Sequence, residues 1–352
     1  MKDWIRAPGA HLRAAARRVG LLPNGFAPTR HVWSRGLALL CEHHGGLPFV
    51  RQQPQREQPS CSFDLDDYAQ VRDGDLVWTR STALPEFVAR ALPRIQARFA
   101  LLTGDEDWSI PSEFDGAEAL LNDDRLVCWY AQNLDRGGHA KLHALPIGLD
   151  FHTISFGRRW GHAQATPQEQ EAELEVMQQG MLPKEQRWLR VHADFHFNRH
   201  SREFGGEARE RVEALLRRNP LVDFESRKRP RSELWRHRAR YAFVVSPHGH
   251  GLDCHRTWES LALGNIVIVR SSVLDPLYEA LPVVIVQNWE EITPDNLAAW
   301  HTQHSGSFAR PGMLERLTNA YWIGRVRRTF AQRTAHREIR PEDGRQELMV
   351  RG

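Results

Sequence analysis

Several familiar signatures are missing from this chain, and each absence excludes something. Its 352 residues contain only four cysteines, Cys41, Cys61, Cys128 and Cys254, and none forms a CxxC pair. That spacing argues against a zinc ribbon or a disulfide scaffold and fits a reducing, cytoplasmic setting. No run approaches the ~20 apolar residues of a membrane span. Residues 1–25 lack the continuous apolar stretch of a secretory signal. Charge of one sign is also missing: 47 Lys and Arg face 44 Asp and Glu, a net of +3. That charge is small for this length, although the pI is near 8.8, and no nucleic-acid partner is expected. There is no internal repeat and no low-complexity tract.

What is present suits a large globular protein. Apolar residues make up 41% of the chain, and 12 tryptophans are available for buried cores. At this length two domains are expected, at ~100–200 residues each. Arginine is locally concentrated in Arg227, Arg229 and Arg231, followed by Arg236, Arg238 and Arg240, which marks a solvated face, or one that holds an anionic ligand or faces an anionic membrane surface. His11–Leu22 reads as a short basic amphipathic helix and is a candidate for peripheral contact at an inner membrane.

Periodicity gives the organisation. Val32–His44 reads as a helix, and Pro48–Ser60 as an exposed polar loop. From Asp75 strands and helices alternate: strand Asp75–Arg80, helix Pro85–Leu92, strand Ala97–Thr103, helix Ser112–Asn122 with Ser112 as N-cap, strand Arg125–Tyr130 and strand Leu142–Leu149. After a linker near Phe156–Thr166 and a helix Pro167–Met181, the rhythm resumes. Strands Arg187–His192, Leu221–Phe224, Tyr241–Val245, Asn265–Val269 and Pro282–Val286 frame helices Gly206–Arg218, Ser232–Arg238 and Thr257–Leu263. A long helix, Met313–Arg333, precedes a charged tail. The expected fold class is therefore α/β, with two Rossmann-like domains facing a cleft: residues 1–160, then 167–305, then a C-terminal helix and tail over 306–352. By analogy with other paired α/β domains, that helix packs back on the first domain.

The most informative stretch is the loop after strand Tyr241–Val245. Ser246, Pro247, His248, Gly249, His250, Gly251, Asp253, Cys254, His255 and Arg256 precede Glu259, one turn into the next helix. Ligands bind at that edge of open α/β sheets. Two chemistries compete for it. In the first, Gly249 and Gly251 let the backbone approach a phosphate, the helix offers its N-terminal amides, His255 and Arg256 add charge, and Glu259 accepts ribose hydroxyls. In the second, His248, His250, Asp253 and His255 hold a metal. Their spacing resembles the HxHxDH loop of metallo-β-lactamase-fold hydrolases, but one extra residue precedes Asp253 and Cys254 separates it from His255. Only about a hundred residues follow to supply further ligands. The balance favours phosphate.

The block Tyr241–Arg270, with Ser246-Pro247-His248-Gly249, Arg256, Glu259 and Leu263-Gly264-Asn265-Ile266-Val267-Ile268, resembles the donor-binding half of GT-B glycosyltransferases. It is most similar to exostosin-like enzymes. The first half carries compatible features: Leu101–Asp107, Trp129–Asn133, His139, Lys141 and Leu145–Asp150. The resemblance implies a nucleotide-sugar donor, UDP- or GDP-linked, held by the second domain. It implies a glycan or lipid-linked acceptor on the first, and no required metal or other cofactor. In that scheme Asp105 or Asp107 deprotonates the acceptor, Arg256 stabilises the leaving diphosphate, and Ser246, His248, Gly249, Gly251, Asp253, His255, Glu259 and Arg199 contribute to the donor site. The alternatives are a metal-dependent hydrolase built on the histidine loop, and a non-catalytic nucleotide- or sugar-binding module.

Overall fold

A computed structural model describes residues 29–52, 63–159, 161–197, 202–310 and 312–338. The first sheet has four parallel strands in sequential order: β1 (Leu76–Arg80), β2 (Phe99–Gly104), β3 (Leu126–Ala131) and β4 (Leu142–Ala144). The second has five: β5 (Trp188–Ala193), β6 (Val222–Phe224), β7 (Tyr241–Val245), β8 (Ile266–Arg270) and β9 (Val283–Val286). Their order is β6-β5-β7-β8-β9, all parallel. Numbered within that sheet, this is the doubly wound order 2-1-3-4-5, which reverses direction between β5 and β7. A crevice at the carboxyl ends of those two strands is the expected binding place. Strands such as Leu76–Arg80 and Tyr241–Val245 are buried along their whole length. That is why they read as continuous apolar runs rather than alternating ones.

The helices that matter here are α1 (Ser34–Ala38), α2 (Ala117–Asn122), α3 (Pro167–Gln179), α4 (Arg209–Leu216), α5 (Arg231–Arg238), α6 (His255–Ala262), α7 (Pro294–His304) and α8 (Asn319–Glu338). Several expected elements are shorter than their sequence pattern. The helix expected over Val32–His44 is reduced to α1. The one expected from Ser112 starts at Ala117, because the Ser112 hydroxyl accepts from Arg136 (2.8 Å to Nη2) instead of capping. The fourth strand stops at Ala144. Beyond it the backbone turns away from the sheet: Leu149 N donates to Val32 O at 2.9 Å and Ile147 N to Asp253 Oδ2 at 2.9 Å. The helix expected to reach Met181 ends at Gln179, and its start is a capping box of Thr166 and Glu169.

Helix α8 crosses back onto the first sheet. Tyr130 Oη and Thr329 Oγ1 lie 2.7 Å apart, and Arg333 Nε donates to Val127 O at 2.9 Å. Trp322 of α8 also meets Trp258 of α6 edge-on, with ring centroids 6.3 Å apart. One apolar core therefore runs from the first sheet through α8 to α6, Val267 and Val269. A second core fills the other face of the second sheet, around Val191, Phe243, Ile268 and Trp289. The two sheets are joined by shared core rather than by a bare linker. Among the described residues no helix is long and apolar enough to cross a membrane. His11–Leu22 and the charged tail lie outside the described residues.

Candidate functional site

The carboxyl edges of both sheets face each other, and specific bonds span the gap. Asn133, just past β3, accepts the backbone N–H of Asp253 at Oδ1 (3.1 Å). Asp253 Oδ2 accepts the Ile147 N–H at 2.9 Å and Trp258 Nε1–H at 2.8 Å. His255 Nδ1 lies 2.8 Å from Gly148 O. Arg231 Nη1 donates to Asp150 O at 3.2 Å. Arg202 ties the acidic loop to the glycine loop: its N–H donates to Gly249 O at 3.0 Å, and its guanidinium pairs with Glu113 and reaches Asp107 O.

Beside these bonds lies a cavity of ≈330 Å³ at the ends of β7 and β8. Ser246, His248, Cys254, Thr257, Arg270 and Tyr278 are among the residues that line it, and Asp135 reaches it from the first domain. Thr257 Oγ1 donates to Ser246 Oγ at 2.9 Å, which fixes both hydroxyls at the base of α6. His248 packs edge-on against Phe204, with centroids 5.0 Å apart, and its Nε2 is 3.2 Å from Glu207 O. Arg270 Nη1 donates to Glu207 Oε2 at 2.9 Å. Of the residues expected from the loop, Ser246 and His248 face this space.

The others have structural partners, and several expectations need correcting. Gly251 was expected to admit a phosphate; a Cβ there would stand 2.5 Å from Asn133 Oδ1, so its missing side chain admits the first domain instead. A Cβ on Gly249 would stand 2.7 Å from Arg209 Nη2. Asp253 is buried and used in joining the domains; burial pushes its carboxyl up to about 6, against the pull of the Ile147, Trp258 and Cys254 donors. Glu259 turns away from the cavity. Its Oε2 accepts from Arg238 Nη1 and from Trp235 Nε1, both at 3.1 Å. Arg256 pairs through Nε with Asp194, whose other oxygen accepts from Arg238 Nη2 at 2.5 Å. Burial would raise the Asp194 carboxyl, but Arg238 and Arg256 outweigh it and hold it far below its ordinary value. Arg256 Nη1 is buried without a hydrogen-bond partner. Arg199 lies outside the described residues.

The acidic loop after β2 divides its labour. Asp105 sits at φ 68°, with a fully buried carboxylate that takes Arg35 Nε at 3.0 Å on both oxygens and Arg80 Nε at 3.1 Å on one. Burial is overcome by these two guanidinium charges, and its carboxyl is lowered. A carboxylate so held is a poor proton acceptor, which corrects its expected role as base. Asp107 is exposed. Between them, Glu106 is half-buried, and desolvation plus the Asp105 charge raise its carboxyl to about 7. Sequence reasoning singled out Asp105 and Asp107 and passed over Glu106; only the fold separates the three. Nearby, Asp150, His152 and His255 converge: His152 Nδ1 is 3.2 Å from Asp150 Oδ1. Burial opposes the Asp150 charge, yet His152 and His255 hold its carboxyl down at about 2. Burial lowers His152. In His255, burial acts downward but Asp150 and the Gly148 carbonyl carry it above its ordinary value. Sequence reasoning missed His152, although it lies two residues past the Leu145–Asp150 stretch.

The metal reading of the loop does not survive its geometry. His248 faces Glu207, His250 is exposed, Asp253 is engaged with Ile147 and Trp258, and His255 turns to Gly148. Among the described residues, the groups of three that bring ligand atoms within 4.8 Å of one another are Asp150, His152 and His255, and His192, Glu225 and His237.

Neither a protein-family model nor a curated protein matches the chain. Solved structures overlap it partially. One is a trehalose-6-phosphate structure from E. coli bound with UDP-2-fluoro glucose, at 12% identity and TM-score 0.32, covering 81% of this chain and 78% of that one. An alpha,alpha-trehalose-phosphate synthase (UDP-forming) from Burkholderia vietnamiensis has 11% identity and TM-score 0.38, with 79% and 78% covered. The N-terminal domain of a Candida albicans trehalose-6-phosphate phosphatase has 10% identity and TM-score 0.36, with 80% and 79% covered. A likeness of this size speaks to neither ligand nor reaction.

Proposed function

We propose that the protein is a two-domain, GT-B-type glycosyltransferase that moves a sugar from a nucleotide-sugar donor to a glycan or glycoconjugate acceptor. The observation that carries this reading is the polar cavity at the ends of β7 and β8, which Asp135 reaches from the first domain. It combines a cation, Arg270, with the hydroxyls of Ser246, Thr257, Ser271 and Ser272. Such a set suits a diphosphate. Leu252, Val273 and Tyr278 offer apolar surface for a base and ribose.

In this scheme Arg270 leaves Glu207 for the donor diphosphate and stabilises the charge that develops on it as the glycosidic bond breaks. The leaving group is then met by side chains, with no obligatory metal. The acceptor hydroxyl approaches from the first domain, and Glu106, poised near neutrality, takes its proton. The donor carries UDP or GDP, the acceptor is a glycan or a lipid-linked one, and the reaction belongs in the cytoplasm. The narrower kinship with exostosin-like enzymes rests on motif order in Tyr241–Arg270.

A thermal-shift panel of UDP, GDP, CMP and dTDP sugars tests the donor site, since a ligand bound only by the native state raises Tm with concentration. One donor class is expected to raise Tm, and Arg270→Ala to abolish that rise. A panel without any response, or a response unchanged in Arg270→Ala, overturns the proposal.

A further inference from the structure

A second cluster, away from the cavity, has no part in the transfer chemistry. His192 lies near the end of β5 and is fully buried, yet neither of its ring nitrogens has a hydrogen-bond partner. An imidazole without a partner in a dry interior is costly and calls for an explanation. The polar atom nearest its Nε2 in an ion pair is Glu225 Oε2, at 3.7 Å. His237 of α5 points its Nε2 at that same oxygen, also at 3.7 Å. The three offer ligand atoms that all lie within 4.8 Å of one another. Tyr241 packs against both rings, with centroids 5.0 Å from His192 and 5.5 Å from His237. Trp188 closes the side beyond, its centroid 6.4 Å from that of His237.

We propose that His192, Glu225 and His237 form a structural site for a first-row transition-metal ion of the zinc type. The chemistry of the set selects that class. Two imidazoles and one carboxylate suit zinc, whereas calcium and magnesium require oxygen ligands. Bonds of about 2.0–2.2 Å at tetrahedral angles place ligand atoms roughly 3.3–3.5 Å apart. The two 3.7 Å separations need only a few tenths of an ångström of closure, and the imidazole–imidazole one, within 4.8 Å, needs at most about 1.5 Å. Glu225 is already oriented to serve as a ligand. Arg229 Nε donates to its Oε2 at 2.7 Å, and Ser226 N donates to its Oε1 at 3.0 Å. The same Oε2 stands 3.7 Å from the Nε2 of each imidazole.

Entry is through His237, whose side chain is 22% exposed, against 1% for each of the other two. The ion would fasten α5 to β5 and to the end of β6. Helix α5 also carries Arg238, which holds Asp194 and Glu259, and Arg231, which reaches Asp150 O. The staple would therefore steady the helix that supports the base of the donor loop without touching the donor.

The test uses the full chain, stripped with a chelator and titrated with Zn²⁺ in competition with a chromophoric chelator. One ion per chain is expected, with a rise in Tm that grows with Zn²⁺ concentration. His237→Ala, at the least buried ligand, is expected to keep the far-UV circular dichroism of the parent and weaken Zn²⁺ binding by more than about tenfold. Co²⁺ is expected to give tetrahedral ligand-field bands in the parent that are lost in His237→Ala and in Glu225→Gln. Failure to bind one equivalent overturns the proposal. So does binding that persists in both variants, or that is lost instead in His152→Ala, which would move the ion to Asp150, His152 and His255.

Discussion

Asn133 Oδ1 accepts the backbone N–H of Asp253 at 3.1 Å, so a side chain from the first sheet holds closed a loop of the second. Asn133 is fully buried, adopts φ 52°, and donates from Nδ2 to Glu106 O at 3.0 Å. The same amide thus touches the acidic loop on one side and the donor loop on the other.

Gly251→Ala should expose that dependence. The new methyl would meet Asn133 Oδ1 at 2.5 Å and its Cγ at 2.6 Å, and Asn133 has no free space to retreat into. Overpacking of this kind costs about 1–3 kcal/mol. Denaturant unfolding is expected to show that loss, and donor-induced Tm shifts to shrink because Leu252 moves with the loop. The Gly251→Ala, Asn133→Ala pair should recover part of the stability; strict additivity would show that the two positions do not meet.

Glu106 should set the acid limb of the pH–rate profile. Its carboxyl stands at about 7 because burial and the Asp105 charge disfavour ionisation. As a base it works deprotonated, so kcat/KM is expected to rise as pH passes upward through about 7 and then level off. Glu106→Gln should lower the rate by about 10²–10⁴-fold and remove that limb. An unchanged profile in Glu106→Gln would pass the role to the Asp150–His152 pair.

The fold was largely legible in the sequence. The apolar run Tyr241–Val245 became a strand and the run Asn265–Val269 became the strand Ile266–Arg270, and the loop between them borders the cavity. Ser246 and His248, expected at the donor site from their place at a strand's carboxyl end, line that cavity. Glu259 was misread for a physical reason. Its helix position puts a carboxylate near the N-terminus, but its direction is set by Arg238 and Trp235, which arrive from 21 and 24 residues away on α5. Gly251 was misread likewise: a glycine signals close approach, and only the fold reveals that Asn133, not a ligand, approaches. Asp105 lost its role to Arg35, 70 residues distant. Partners this remote leave no periodic trace.

The buried Asp194 network should be ordered by which arginine is removed. Arg238 serves two carboxylates, Asp194 and Glu259, while Arg256 serves Asp194 alone. Arg238→Ala leaves both buried charges short of a partner and is expected to cost about 3–5 kcal/mol. Arg256→Ala removes one charge-assisted bond and is expected to cost less, about 1.5–3 kcal/mol. Because the Asp194 carboxyl is depressed in the native state, its stabilisation is full above the ordinary aspartate value and is lost as pH falls below it. Asp194→Asn should flatten that acid limb of the stability curve. Arg256 also tests the leaving-group role expected of it: if its unpartnered Nη1 meets the donor, Arg256→Ala loses the donor-induced Tm shift as well as stability.

Asp253 should act with the opposite sign. Burial raises its carboxyl from 3.8 to about 6. Between those values the native state binds more protons than the unfolded chain, so this group's contribution is full below about pH 4 and fades as pH rises through about 6. A shift of that size corresponds to on the order of 3 kcal/mol. Asp253→Asn cannot titrate, and its amide must face either the Ile147 or the Cys254 N–H, donor against donor. It is therefore expected to be less stable than the parent at every pH, with the gap largest near pH 4 and narrowing toward pH 7. Urea unfolding of both proteins across that range measures the gap. A difference that stays constant with pH would mean that Asp253 is ionised throughout, sustained by its three donors against the cost of burial.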